Sequence, residues 1–168
     1  MVKNNIDLTT KESVEVNNKL EISSEEFVSQ AKINEAMAVV NSLKFEKMDD
    51  KLITDYGWSK ENIFSVNQSY RKWLVISACY PELSLVPTMK LDEYWHMHIL
   101  DTKKYMEDCQ LVFGSYKHHY PYFGTEANSD YVDECFEITK KLFRKHFDEN
   151  ISNDVSGCGI HGCKNNCT

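Results

Sequence analysis

Four of the chain's six histidines crowd into one short region. His96 and His98 fall within Leu91-Asp92-Glu93-Tyr94-Trp95-His96-Met97-His98-Ile99-Leu100-Asp101, and the pair His118-His119 follows about twenty residues later. Imidazole titrates near neutral pH and is the commonest metal-ligating side chain, so this density beside Asp92, Asp101 and Asp108 points to metal binding or acid/base work. Two imidazoles and a carboxylate satisfy Zn²⁺ or Fe²⁺ and leave positions open for water or substrate. The candidate ligands of this body site are Asp92, His96, His98, His118 and His119.

Helical geometry limits how they combine. Asp92 and His96 are neighbours at i, i+4, whereas His98 points roughly 120° away from Asp92 on a straight helix. The seam Leu91, Trp95, His98, Thr102, Tyr105, Cys109, Val112 recurs every three to four residues and puts His98 on the buried face. His98 therefore reads either as a core imidazole bonded to Asp101, Tyr94 or a backbone carbonyl, or as a ligand. Asp92 with His96 reads either as a plain helix-surface pair or as one wall of a pocket completed by His118 or His119. Adjacent residues of an extended loop point to opposite sides, so at most one of His118 and His119 joins a given site. The other is expected to pack among Tyr116, Tyr120 and Tyr122.

A second donor set, Cys158, His161, Cys163 and Cys167, gathers three thiols and one imidazole within ten residues near the C-terminal end. A tetrahedral Cys₃His site is chemically open to it, with Gly157, Gly159 and Gly162 permitting tight folding. Two alternatives are an exposed tail of reactive cysteines, since so short a segment has no core without metal, and a peptide carried by the body for enzymatic modification. Other chemistry lacks an anchor. There is no His-Glu-x-x-His, which argues against a zincin protease, and a ferritin-like di-iron site is not expected either. Neither a Gly-x-Ser-x-Gly elbow nor a phosphate or dinucleotide loop occurs among the six glycines. Cys109 and His98 lie about three turns apart on their seam, which disfavours a nucleophile pair.

The elements that must hold these groups read as helices throughout. Ser23 with Glu26 forms a capping box ahead of a helix over residues 24–45, its stripe running through Phe27, Ala31, Ile33, Ala36, Val39, Val40 and Leu43. A short helix over 49–56 ends at Gly57. Ser59 opens another, with the row Ile63, Phe64, Val66, Tyr70, Trp73, Leu74, Ile76 and Cys79, stopped by Pro81. Residues 90–100 are helical, and Asp101 either caps a further helix over 102–113 or lies within a continuous one; Gly114 ends it. The aromatic run 115–125 reads as an ordered loop folded onto the body. Asn128 caps a last helix over 129–149 with inward Val132, Cys135, Phe136, Thr139, Leu142, Phe143 and Phe147. No strand alternation is sustained. The fold class is all-α, a single-domain bundle of about five helices (23–149) between a flexible leader (1–22) and a flexible Cys/Gly/Asn tail (150–168).

Composition agrees. A chain of 168 residues with 42% hydrophobic and 12% aromatic content can bury a real core, and its length argues for one domain. A net charge of -7 and a pI near 5.4 disfavour nucleic-acid binding, which needs Lys and Arg against phosphates. No run approaches the ~18 apolar residues of a membrane span, and residues 1–19 lack a signal peptide's apolar region. The cytoplasm is the expected compartment. The six cysteines are then read as thiols, with Cys79, Cys109 and Cys135 as small core residues.

The order Val86-Pro87, Leu91-Asp92, Trp95-His96-x-His98-Ile99-Leu100-Asp101-Thr102, Tyr105, Asp108-Cys109, Phe113-Gly114, His118-His119 and Pro121 resembles the bacterial branch of the glycine-rich domain-containing protein-like family. Gly57-Trp58-Ser59 and Tyr70-Arg71-Lys72-Trp73-Leu74 extend the resemblance, which covers roughly residues 25–148. The Cys-rich tail looks like a shortened form of the Gly/Cys-rich ends of that family, and the first twenty residues depart from its pattern. No activity follows from the resemblance. Two functions are open to the residues: a divalent-metal protein, as a hydrolase or oxidase if it is an enzyme, or a non-catalytic scaffold whose aromatic loop meets a protein partner.

Overall fold

The computed structural model describes residues 27–123 and 129–152, and within them six helices and no strand. They are α1 (Gln30–Asn41), α2 (Glu46–Tyr56), α3 (Lys60–Cys79), α4 (Met89–Leu100), α5 (Thr102–Phe113) and α6 (Ser129–Phe147). The all-α expectation holds, with six helices in place of about five. The leader, the Ser23/Glu26 pair, Asn128 and the tail donors Cys158, His161, Cys163 and Cys167 lie outside the described residues.

α3 is the hub, touching α1, α2, α4, α5 and α6. Its Tyr70, Trp73, Leu74, Val75 and Ile76 are almost wholly buried, while Phe64, expected inward, is 71% exposed. Phe64 sits roughly 100° from Ile63 around the helix and so falls off the row that Ile63, Tyr70 and Trp73 define. α1 is shorter than the stripe suggested. Ser29 caps it by accepting from the Lys32 N–H, and it stops at Asn41. At that end the Ser42 and Leu43 N–H groups close the last turn onto the Val39 and Val40 carbonyls, and the Arg71 guanidinium of α3 adds hydrogen bonds to the carbonyls of Val40 and Leu43. Leu43 and Phe45 then bury themselves as the chain turns.

The stretch from α4 to α5 is broken. Asp101, at ψ 67, leaves helical geometry and caps α5 through the Lys104 N–H. Gly57 and Gly114 end α2 and α5 in the left-handed conformation that glycine adopts without penalty. At the end of α6, Asp148 takes the left-handed turn (φ 54), and Glu149 pairs with Lys72 of α3. Asn150 accepts from Arg144, and Ile151 packs against the core, so the packed body runs past residue 149.

Candidate metal centre

α4 begins at Thr88, whose hydroxyl accepts from the Leu91 N–H, and this start puts Asp92 in the first turn, where the helix dipole favours a carboxylate. One turn on comes His96. After α5, residues 115–123 return across α4. Two contacts fix that return. The Tyr105 hydroxyl donates to the Lys117 carbonyl at 2.6 Å, and the Lys117 ammonium lies 5.3, 5.5 and 6.0 Å from the ring centres of Trp73, Phe113 and Trp95. Burial among these rings holds the Lys117 amine below its usual pKa. Residues 117 and 119 share the inward side of the loop, so His119 arrives beside α4 with its ring 4.6 Å from that of Trp95. Sequence reading overlooked Lys117; a single lysine two residues before a candidate ligand, in an aromatic run, was the available signal.

Asp92, His96 and His119 converge, each offering a ligand atom within 4.8 Å of the others. The two Nε2 atoms are 3.0 Å apart, His119 Nε2 lies 3.3 Å from Asp92 Oδ1, and His96 Nε2 lies 3.7 Å from Asp92 Oδ2. Donors each about 2.1 Å from one ion, at octahedral to tetrahedral angles, stand about 3.0–3.4 Å apart. The two separations made by His119, to His96 Nε2 and to Asp92 Oδ1, fall in that range. His96 stands 3.7 Å from the other oxygen, Oδ2, so one ion would meet all three residues through both carboxylate oxygens or after a shift of His96, whose side chain is 41% exposed against 8% for Asp92 and 13% for His119. Burial, offset in part by Asp92, lowers the His96 pKa and favours the neutral imidazole that metals bind.

The other sequence candidates lie elsewhere. His98 is fully buried on the opposite face, its Nδ1 2.8 Å from the Tyr70 hydroxyl and its Nε2 3.0 Å from Asp108. It is a core imidazole, though its partners are not the Asp101, Tyr94 or carbonyl groups expected. His118 is exposed with its ring 4.8 Å from Tyr116 and is not one of the converging residues. Tyr116, Tyr120 and Tyr122, expected to fold onto the body, are 42%, 53% and 58% exposed, because the inward positions of the loop go to Lys117 and His119. Glu93-x-x-His96 is the chain's one Glu-x-x-His, but Glu93 is exposed and outside the converging group. Burial raises the pKa of the Cys109 thiol, which makes it a poor nucleophile.

Six helices among the described residues, with two imidazoles and a carboxylate meeting between a helix and a returning loop, define the class: a small helical protein with a His₂-carboxylate cluster that could hold a metal ion. The chain belongs to the UCP032817-like family, whose model matches residues 35–151 and so covers all three of these residues. That match overturns the resemblance to the glycine-rich domain-containing protein-like family. Several residues that carried the resemblance, among them Trp95, His98, Tyr105 and Cys109, are buried packing residues, and packing types recur among unrelated helical cores. No curated protein and no solved structure gives a significant match to the chain.

Proposed function

We propose that this protein binds one divalent transition-metal ion through Asp92, His96 and His119. The observation that carries the reading is the convergence of three ligand-type atoms at spacings close to those of one coordination sphere. A His₂-carboxylate set leaves positions for exchangeable ligands, which suits Fe²⁺ in oxidation or Zn²⁺ in hydrolysis. When bound, the ion supplies Lewis acidity; the chain's contribution is to hold two neutral imidazoles and one carboxylate on a single side of it. Three unpaired buried thiols, Cys79, Cys109 and Cys135, suit the reducing cytoplasm. Among the described residues no helix is long and apolar enough to cross a membrane.

The test is metal stoichiometry by equilibrium dialysis with Zn²⁺ or anaerobic Fe²⁺, in a background of Cys158→Ser, Cys163→Ser and Cys167→Ser that removes the tail thiols. One ion per chain is expected, with affinity falling about 100-fold or more in His96→Ala and His119→Ala and unchanged in His118→Ala. Equal binding by wild type, His96→Ala and His119→Ala overturns the reading.

A second reading, a partner-binding surface, draws on the exposed tyrosines of the loop. It is separable from the first, since Tyr122→Ser would weaken a partner and leave metal content alone.

A further inference from the structure

One flank of the triad opens into a cavity. Between residues 84–87 and the returning loop lies a space of about 190 Å³ whose lining includes Asp92 and His119. Its remaining walls are Leu85, Val86, Pro87, Trp95, Tyr120 and Phe123, with the exposed Ser84 and His118 at the edge. The polarity is lopsided: aliphatic and aromatic carbon on the walls, the two candidate ligands at one place.

We propose that this cavity binds a single-ring aromatic molecule carrying an anionic oxygen head group, a carboxylate or phenolate, with the head directed at the ion; the proposal rests on the metal reading. Size sets the first limit. Drug-sized ligands fill about 300–1,000 Å³, so this space admits one ring with small substituents and excludes sugar chains or folded peptide. Wall chemistry sets the second, since three rings and three aliphatic side chains favour a flat apolar body over a hydrated one. Charge sets the third. A divalent ion held by one carboxylate and two neutral imidazoles keeps a net positive charge and open positions, which an oxygen anion satisfies better than a neutral or cationic group. Neither the ring nor the head alone uses both halves of the site.

The experiment uses the full chain with the three tail cysteines changed to serine, loaded with redox-inert Zn²⁺, and calorimetric titration with benzoate and with acetate. Benzoate is expected to bind at least about tenfold more tightly than acetate, and metal-free protein to show no such preference. Val86→Phe, which fills the cavity, should cost benzoate about tenfold or more at unchanged Zn²⁺ stoichiometry. Val86 is itself buried, so Tyr120→Ala at a half-exposed wall position provides a second variant, expected to weaken benzoate several-fold while acetate is unaffected. If one Zn²⁺ binds but benzoate binds no better than acetate, or keeps its affinity in both variants, the ligand proposal falls and the metal reading stands. Failure to take up Zn²⁺ overturns both.

Discussion

A step of two residues along α4 turns a side chain through roughly 200°, so His96 reaches the returning loop while His98 enters the core between Tyr70 and Asp108. Replacing each by alanine separates the two roles. His98→Ala leaves a cavity, an unpaired Tyr70 hydroxyl and a partly buried Asp108 carboxylate, and is expected to cost about 3–5 kcal/mol in metal-free urea denaturation. His96→Ala under the same conditions should stay within about 1 kcal/mol, because its half-exposed ring has little packing to lose. Similar losses in both would remove the division of labour. Sequence periodicity already put His98 inside and Asp92 beside His96. It did not name Tyr70 and Asp108 as the partners of His98, since they lie 28 and 10 residues away, each on another helix, and such pairings leave no mark in spacing within α4.

At the scale of elements, the helix ends were the most legible features, for capping is local chemistry. Ser59, Gly57, Asp101 and Gly114 all act as their types and positions suggest. The first helix was misjudged at both ends. Its far end accepts hydrogen bonds from Arg71 of α3, a partner some 30 residues downstream that also bonds Asn67 and lies 4.7 Å over Phe45. Asn67 and Tyr94 in turn meet Asp49, whose carboxyl burial pushes above its usual value, so α1, α2, α3 and α4 share one polar network. The loop that delivers His119 depends likewise on a tertiary contact. Lys117→Ala removes both the side chain and the charge that fill the space between Trp73, Trp95 and Phe113, and is expected to lower metal affinity about tenfold with helical circular dichroism unchanged. Lys117→Arg, which keeps a cation over the rings, should stay within about threefold. Wild-type metal affinity in Lys117→Ala would show that the loop is held by something else.

For the molecule as a whole, stability should carry the mark of a histidine remote from the triad. His146 on α6 faces the Tyr80 hydroxyl at 2.7 Å, which itself accepts from the Val28 N–H, while its Nδ1 is buried with no partner among the described residues. Burial first, and the Lys145 charge second, lower its pKa below the ordinary histidine value. A base depressed on folding takes up its proton first in the unfolded chain, so as pH falls below about 6.5 the unfolded state gains. The Tm of metal-free protein is therefore expected to be flat above about pH 7 and to fall between about pH 7 and 5, with a shallower fall in His146→Phe. An unchanged slope in that variant would assign the acid sensitivity to other groups.

Sequence by itself determined the all-helical class, the caps at Gly57, Ser59, Asp101 and Gly114, the inward row of α6 and that of α3 apart from Phe64, and the short list of side chains able to hold a metal, because each rests on spacing within one element. Only the tertiary structure decided which of those side chains meet. Asp92 and His96 were paired by one turn of helix, but choosing His119 over His118, excluding His98 and setting a cavity beside the triad required the loop to close on α4. That closure is made by Lys117, Tyr105 and Trp95, contacts between segments that no local pattern encodes.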